Sequence, residues 1–120
     1  MTFQTMRVGK KGEEIAVQFL LEQKYSILEC NFHTRFAEID IIAKKNEIIY
    51  FIEVKTRTGI EKGKPYEAVN KRKLFHLTQA SELYVLKNKL RNYKLSMMVI
   101  SIVVTKELKV ESINSYIVEY

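Results

Sequence analysis

Cys30 is the only cysteine in the 120 residues, so no disulfide can close within this chain, and the sequence fits a reducing compartment. No apolar run approaches the length of about eighteen residues that a membrane-spanning helix needs, so no membrane partner is expected. The stretch MTFQTMRVGKKGEE at the start lacks the apolar segment of a secretory signal, and the expected location is the cytoplasm. Pro65 is the only proline; it falls with Gly59 and Gly63 in TGIEKGKP, Thr58 to Pro65, the clearest loop in the chain. Neither an internal repeat nor a low-complexity segment is present.

What is present describes a globular protein. The hydrophobic content of 47% excludes wholesale disorder, and the length suits one domain over residues 1–120. The formal net charge of +6 suggests an anionic partner, of which nucleic acid is the commonest for a soluble chain. The densest basic clusters are NKRK, Asn70 to Lys73, and KNKLRNYK, Lys87 to Lys94. Two solvated helix faces would account for them equally well.

Hydrophobic periodicity orders the elements. Ile15, Ala16, Phe19 and Leu20 recur at helical spacing and predict a helix from about Gly9 to Gln23. Tyr25 to Arg35 alternates loosely as a strand, followed by strands over Glu38 to Ala43 and about Ile48 to Thr56. Lys44 to Glu47 hold the turn between the last two, with Asn46 best suited to a left-handed backbone. Pro65 suits a first helical turn, and a helix is predicted from about Tyr66 to Leu90, with Asn70, Leu74, Leu77, Ala80, Ser81 and Tyr84 along one stripe. MMVISIVVT reads as a buried strand and KVESINSYIVEY as an edge strand. Short links make the first three strands an antiparallel meander, and the helix crossover makes the fourth strand parallel to the third. The expected fold is α/β: a mixed central sheet flanked by helices.

The segment FAEIDIIAKKNEIIYFIEVKTR, Phe36 to Arg57, sets acids and a lysine among isoleucines. Glu53 and Lys55 are two residues apart and share a strand face. With an even hairpin loop, such as Lys45 and Asn46, Asp40 joins them on that face; with an odd loop it does not. A structural ion pair to Lys55 is one explanation, although two acids face one lysine. A divalent metal is the other. Hard oxygen donors at this spacing suit magnesium, and a metal-bound water near a lysine can attack phosphorus.

Glu13 falls between Leu20 and Val17 on a helical wheel, inside the apolar arc, while Glu14 faces water. Glu13 is either an acid at the helix N-terminus or a further ligand in the same pocket. Lys73 lies on the inward stripe of the long helix, as a snorkelling surface lysine or as a contact to phosphate or carboxylate.

These residues carry a resemblance. GKKGEEIAVQFLLEQKYSILECNF, AEIDIIAKKNEIIYFIEVKTR and GKPYEAVNKRKLFHLTQASELYV resemble the YraN-type family of small bacterial proteins, over about Gly9 to Val104. The ordered set G-x-x-G-E, E-I-D, E-V-K-T-R and a later lysine helix is specific together; E-x-K alone is weak. The resemblance implies a restriction-endonuclease-like, PD-(D/E)XK fold, similar to archaeal Holliday-junction resolvases. It implies a catalytic set of Glu13, Asp40, Glu53 and Lys55. In that set Asp40, Glu53 and Glu13 hold Mg2+, with Mn2+ as a substitute, and Lys55 positions or activates the water. Lys73 matches the helix lysine, and Arg35 and Arg57 are phosphate contacts by charge. On the favoured register Glu38 points the same way as Asp40 but lies further from the turn, which makes it a supporting residue. Ala37 stands where the family usually has glycine, and Ser96 where an Asp is common.

Three functions are therefore expected: a magnesium-dependent nuclease on DNA, branched or otherwise structured; a non-cleaving nucleic-acid-binding module; or an interaction protein, a homodimer through its C-terminal edge strand. Under the first two, Arg35, Arg57, Lys62, Lys71 and Arg72 should surround the acidic pocket.

Overall fold

The computed structural model of the chain describes residues 3–59 and 70–118, with side chains from Val8 onward. Its elements are α1 (Phe3–Glu22), β1 (Ser26–His33), β2 (Glu38–Lys45), β3 (Ile48–Thr58), α2 (Lys71–Asn88), β4 (Lys94–Val104) and β5 (Val110–Val118). Among the described residues the strands form one sheet in the order β1-β2-β3-β4-β5. Pairing is antiparallel from β1 through β3, parallel between β3 and β4, and antiparallel again to β5. The α/β class and the mixed sheet follow the sequence expectation, including the crossover helix before a parallel strand. No helix among the described residues is long and apolar enough to cross a membrane.

The hairpin between β2 and β3 sets the register. Its loop is Asn46 and Glu47, one position later than the sequence suggested, and both residues have positive φ, 51° and 66°. Two left-handed residues in a two-residue loop make a turn whose twist matches the flanking strands. Lys45 thus pairs with Ile48 and Ile41 with Ile52. The loop is even, and β2 and β3 both run further than the alternating pattern alone indicated.

Two apolar layers sandwich the sheet. On one face Ile41, Ala43, Ile52, Ile100 and Ile102 pack under α1. On the other Ile42, Ile49 and Phe51 pack under Leu77, Ala80 and Tyr84 of α2. Burial of these side chains on two sides of one sheet is the main hydrophobic stabilisation of the fold.

The helix boundaries correct the sequence reading. Helix α1 begins at Phe3, not near Gly9, so neither glycine breaks it. Glu13 is therefore well inside the helix, and the reading of it as a cap at the N-terminus fails. Helix α2 begins at Lys71: Asn70 is extended (φ −88°, ψ 177°), and its side chain accepts the Lys73 N–H. Asn70 thus caps the helix instead of lining its stripe, because a side-chain oxygen satisfies an otherwise unpaired first-turn donor. The rest of the stripe, Leu74, Leu77, Ala80, Ser81 and Tyr84, is buried as expected. The left-handed Lys89 ends the helix before Leu90. Gly63, Pro65, Lys62 and the predicted helical start at Tyr66 lie outside the described residues.

Val8, Gly12, Ala16 and Leu20 are buried at four-residue spacing, a stripe that lays α1 on the sheet. Gly12 is the contact point. A Cβ there would overlap the Thr56 hydroxyl and lie 2.8 Å from Thr56 Cβ, whereas a Cβ on Gly9 would meet nothing within 4 Å. The two glycines should respond with opposite signs. Gly12→Ala should lose about 1–2 kcal/mol in urea unfolding, since overpacking of about 1–3 kcal/mol outweighs the better helix propensity of alanine. Gly9→Ala should gain up to about 1 kcal/mol from propensity alone. Equal effects would refute the close approach.

Candidate functional site

Asp40 lies where the sheet departs from plain alternation. Ile39 and Ile42 both pack on the α2 side, while Ile41 and Ala43 pack on the α1 side. The β2–β3 pairs end at Ile41 and Ile52, and beyond them the Val54 N–H donates to Asp40 Oδ2 at 2.8 Å. A side chain thus takes over a backbone donor at the point where the ladder stops. The even loop sets the favoured register. Asp40 is nevertheless held at the transition between the two faces, where charges from both reach it.

Its carboxyl shows the consequence. Burial, and then the Glu53 carboxylate, push the Asp40 pKa up to about 7, with Glu13 and Glu38 adding to the rise; the Val54 N–H pulls the other way. Desolvation and like charge both penalise the ionised form, and the single hydrogen bond does not offset them. Three neighbouring acids add to the rise although the chain carries a net charge of +6.

Glu13 is half-buried on α1 and Glu14 is exposed, as the helical wheel implied. Glu13 Oε1 accepts from Asn31 Nδ2 at 3.0 Å, and the same nitrogen donates to Glu38 Oε1 at 3.1 Å. Glu38 also lies 3.7 Å from His33 Nε2. Glu38 is therefore an exposed partner of Asn31 and His33 beside the site. Asn31 escaped the sequence reading. Its signal there was an asparagine in the middle of a strand, a place such residues avoid unless the backbone turns left-handed.

On the α2 side Glu53 Oε1 pairs with Lys73 Nζ at 2.5 Å. The Asn70 cap fixes the first turn of α2, and this turn aims Lys73 at β3. Lys55, two residues beyond Glu53, is exposed, and Arg57 is half-buried two residues further along the strand. Arg35 is exposed in the β1–β2 turn, its guanidinium 5.0 Å from the Phe36 ring centroid. Lys71 and Arg72 are exposed in the first turn of α2. The β1–β2 turn, the second half of β3 and the start of α2 lie at one end of the sheet, so the described basic residues flank the acids there.

Ser96 is not among them. It pairs with Tyr50, three rungs from the Glu53–Val99 pair, or about 10 Å along the strand. It lines instead a groove of about 480 Å3 with Phe51, Thr78, Met97, Ile117 and Val118. Ala37 needs no glycine-like backbone: its φ is not positive, and Thr34 closes the turn by donating its hydroxyl to Ala37 O and accepting the Phe36 and Ala37 N–H groups.

Among the described residues no three His, Cys, Asp or Glu side chains form a ready-made metal cluster. Two carboxylates suit a hard cation that takes few protein ligands: Asp40 and Glu53 would supply the oxygens, and burial together with the neighbouring acids makes the ionised Asp40 costly without a cation.

The model of a family described as "Uncharacterised protein family UPF0102" matches residues 12–105. The chain is 40% identical over 108 residues to a UPF0102 protein of Alkaliphilus metalliredigens, covering 90% of this chain and 95% of the relative. It is 47% identical over 78 residues to one from Syntrophomonas wolfei, covering 65% and 68%. It is also 41% identical over 91 residues to UPF0102 protein FN1370 of Fusobacterium nucleatum, covering 76% of each. These names specify no activity.

The raised Asp40 pKa predicts a pH dependence of stability. The unfolded chain releases this proton near pH 4, and the folded chain holds it to about pH 7. Between these values the folded state binds more protons, so stability falls as pH rises through the window, by at most about 4 kcal/mol at about 1.4 kcal/mol per unit. Asp40→Asn keeps an acceptor for the Val54 N–H and removes the charge. Urea unfolding should show the variant gaining on the wild type from pH 4 to pH 8. A constant difference across that range would contradict the assignment.

Proposed function

The chain belongs to the UPF0102 family, and we propose that it is a magnesium-dependent nuclease with a restriction-endonuclease-like fold, acting in the cytoplasm on the phosphodiester bonds of DNA, branched or otherwise structured. The observation that supports this best is the setting of Asp40. A half-buried carboxylate, anchored by the Val54 N–H, is crowded by Glu53 and Glu13, with exposed basic side chains at the same end of the sheet. A purely structural design would favour apolar residues at such a position.

Asp40 and Glu53 would hold the metal, with Glu13 as a further donor on the α1 side. A bound Mg2+ would supply charge neutralisation at the scissile phosphate and acidify the attacking water. Lys55, exposed on the same strand as Glu53, orients the attacking water and meets the phosphate charge. Lys73 leaves or shares Glu53 as phosphate arrives, and Arg35, Arg57, Lys71 and Arg72 bind the flanking backbone. Their phosphate contacts carry no sequence information, which suits a nuclease that selects DNA by shape.

A non-cleaving nucleic-acid-binding module of the same fold is the alternative. The Lys73–Glu53 ion pair favours it, because that lysine already satisfies one of the two carboxylates a metal would use. A homodimer through β5, the sheet edge where Tyr116 and Ile117 are exposed, is compatible with either reading.

Labelled duplex, single-stranded and four-way-junction DNA, incubated with Mg2+ or Mn2+, separates these readings. The nuclease should cleave at least one substrate, and Asp40→Asn and Lys55→Ala should each reduce the rate by about 100-fold or more. Cleavage that survives both substitutions would identify a contaminant and end the nuclease proposal. Binding that weakens steeply with salt, without cleavage under either metal, would establish the module.

A further inference from the structure

Asn31 sits on the rung that the site depends on. The pairs Cys30–Ile41 and Phe32–Ile39 flank it, which sets Asn31 across from Asp40. At this level β2 changes face, with Ile39 packing on the α2 side and Ile41 on the α1 side. Asn31 has φ of 53°, a left-handed backbone in a strand. Asparagine tolerates that conformation better than most residues with a side chain.

The side chain does a second job. A primary amide has two N–H groups on one nitrogen, and both are used. One goes to Glu13 Oε1 on α1 and the other to Glu38 Oε1 on β2. Two carboxylates from different elements are thereby drawn together by a neutral donor. A lysine here would neutralise the charge that a metal needs, and an aspartate would repel both acids. The residue that joins left-handed tolerance to a neutral double donor is asparagine.

We infer that Asn31 is a positioning residue for the metal site, tying Glu13 to the sheet beside Asp40. The inference rests on the proposed metal-dependent function. Without the tie, Glu13 remains on its helix but loses the contact that fixes its carboxylate over β1. Partners that orient ligands from behind commonly change metal affinity by about 10- to 100-fold when removed.

The test uses Asn31→Gly, which accepts the left-handed backbone without strain and deletes only the amide. Mn2+ alone is titrated calorimetrically into the wild type, Asn31→Gly, Glu13→Gln and the double variant, and thermal melts confirm folding. Asn31→Gly should melt close to the wild type and bind Mn2+ about tenfold more weakly. In the Glu13→Gln background the same substitution should have little further effect, because both act through one carboxylate. In the metal-free protein, the Asn31 side-chain amide resonances should shift on Glu13→Gln and on Glu38→Gln. Wild-type affinity retained in Asn31→Gly, or an equal loss in the Glu13→Gln background, overturns the role of Asn31 and leaves the metal site standing. A wild type that binds no Mn2+ overturns the metal site itself, and this inference with it.

Discussion

The two-residue turn at Asn46 and Glu47 is the constraint on which the candidate site depends. A strand's side chains alternate with a period of two, so one residue more or less in this loop would turn every β2 side chain over relative to β3. With Lys45 opposite Ile48, the ladder runs cleanly to Ile41 and Ile52 and stops there. The next residues on each strand are Asp40 and Glu53. Both acids therefore arrive at the end of a ladder, where backbone donors such as the Val54 N–H come free and a carboxylate can take their place. The turn and the acids are separated by five rungs of isoleucine-rich pairing, and that packing transmits the register from one to the other.

A second constraint brings α1 to the same place. The helix can approach β3 closely because Gly12 presents no side chain to Thr56. Glu13 follows directly, so the residue that permits contact fixes the height of the acid above the sheet. The amide of Asn31 fixes its direction. Helix α2 reaches the site from the other face by a different device. The Asn70 cap sets the first helical turn, and Lys73 in that turn meets Glu53. The glycine contact and the amide bridge both position Glu13, the cap positions Lys73, and each is a local feature of few residues.

The sequence revealed the features that repeat and hid those that occur once. Alternation and helical spacing identified five strands and two helices, the parallel crossover and the inward stripe of α2, because each rests on many apolar residues. The acids stood out for the same reason: Asp40 and Glu53 interrupt otherwise continuous apolar runs. The start of α1 was missed because glycine, a poor helix former, occurs twice in its middle, and tertiary contact outweighs that propensity. Asn70 was read as part of a stripe because caps and stripe residues differ only in backbone conformation. Asn31 was missed because its role joins a left-handed dihedral to two partners, 18 residues before it and 7 after it, which no periodicity records. The departure of Asp40 from simple alternation was equally invisible, since it requires both faces of the sheet to be known.

Burial and function are linked at Asp40 through one quantity, the cost of its charge. The Lys73 ammonium accounts for Glu53, and the Asn31 amide for Glu13 and Glu38, so three of the four acids have partners suited to an anion. Asp40 has the Val54 N–H and the repulsion of the other three. At neutral pH a carboxyl with pKa near 7 is divided between its two forms, and a proton and a divalent cation compete for the same lone pairs. The burial that makes ionisation costly also removes the water that would screen an ion's attraction. A group placed to resist charge when alone therefore responds strongly to a cation. The fold maintains this imbalance with rigid pairing on one side and close helix contact on the other, and what acts on the Asp40 carboxyl is burial, three acids and one backbone N–H. That unrelieved charge, with basic side chains at the same end of the sheet, is the physical argument behind the proposal of a reaction site there over a structural ion-pair network.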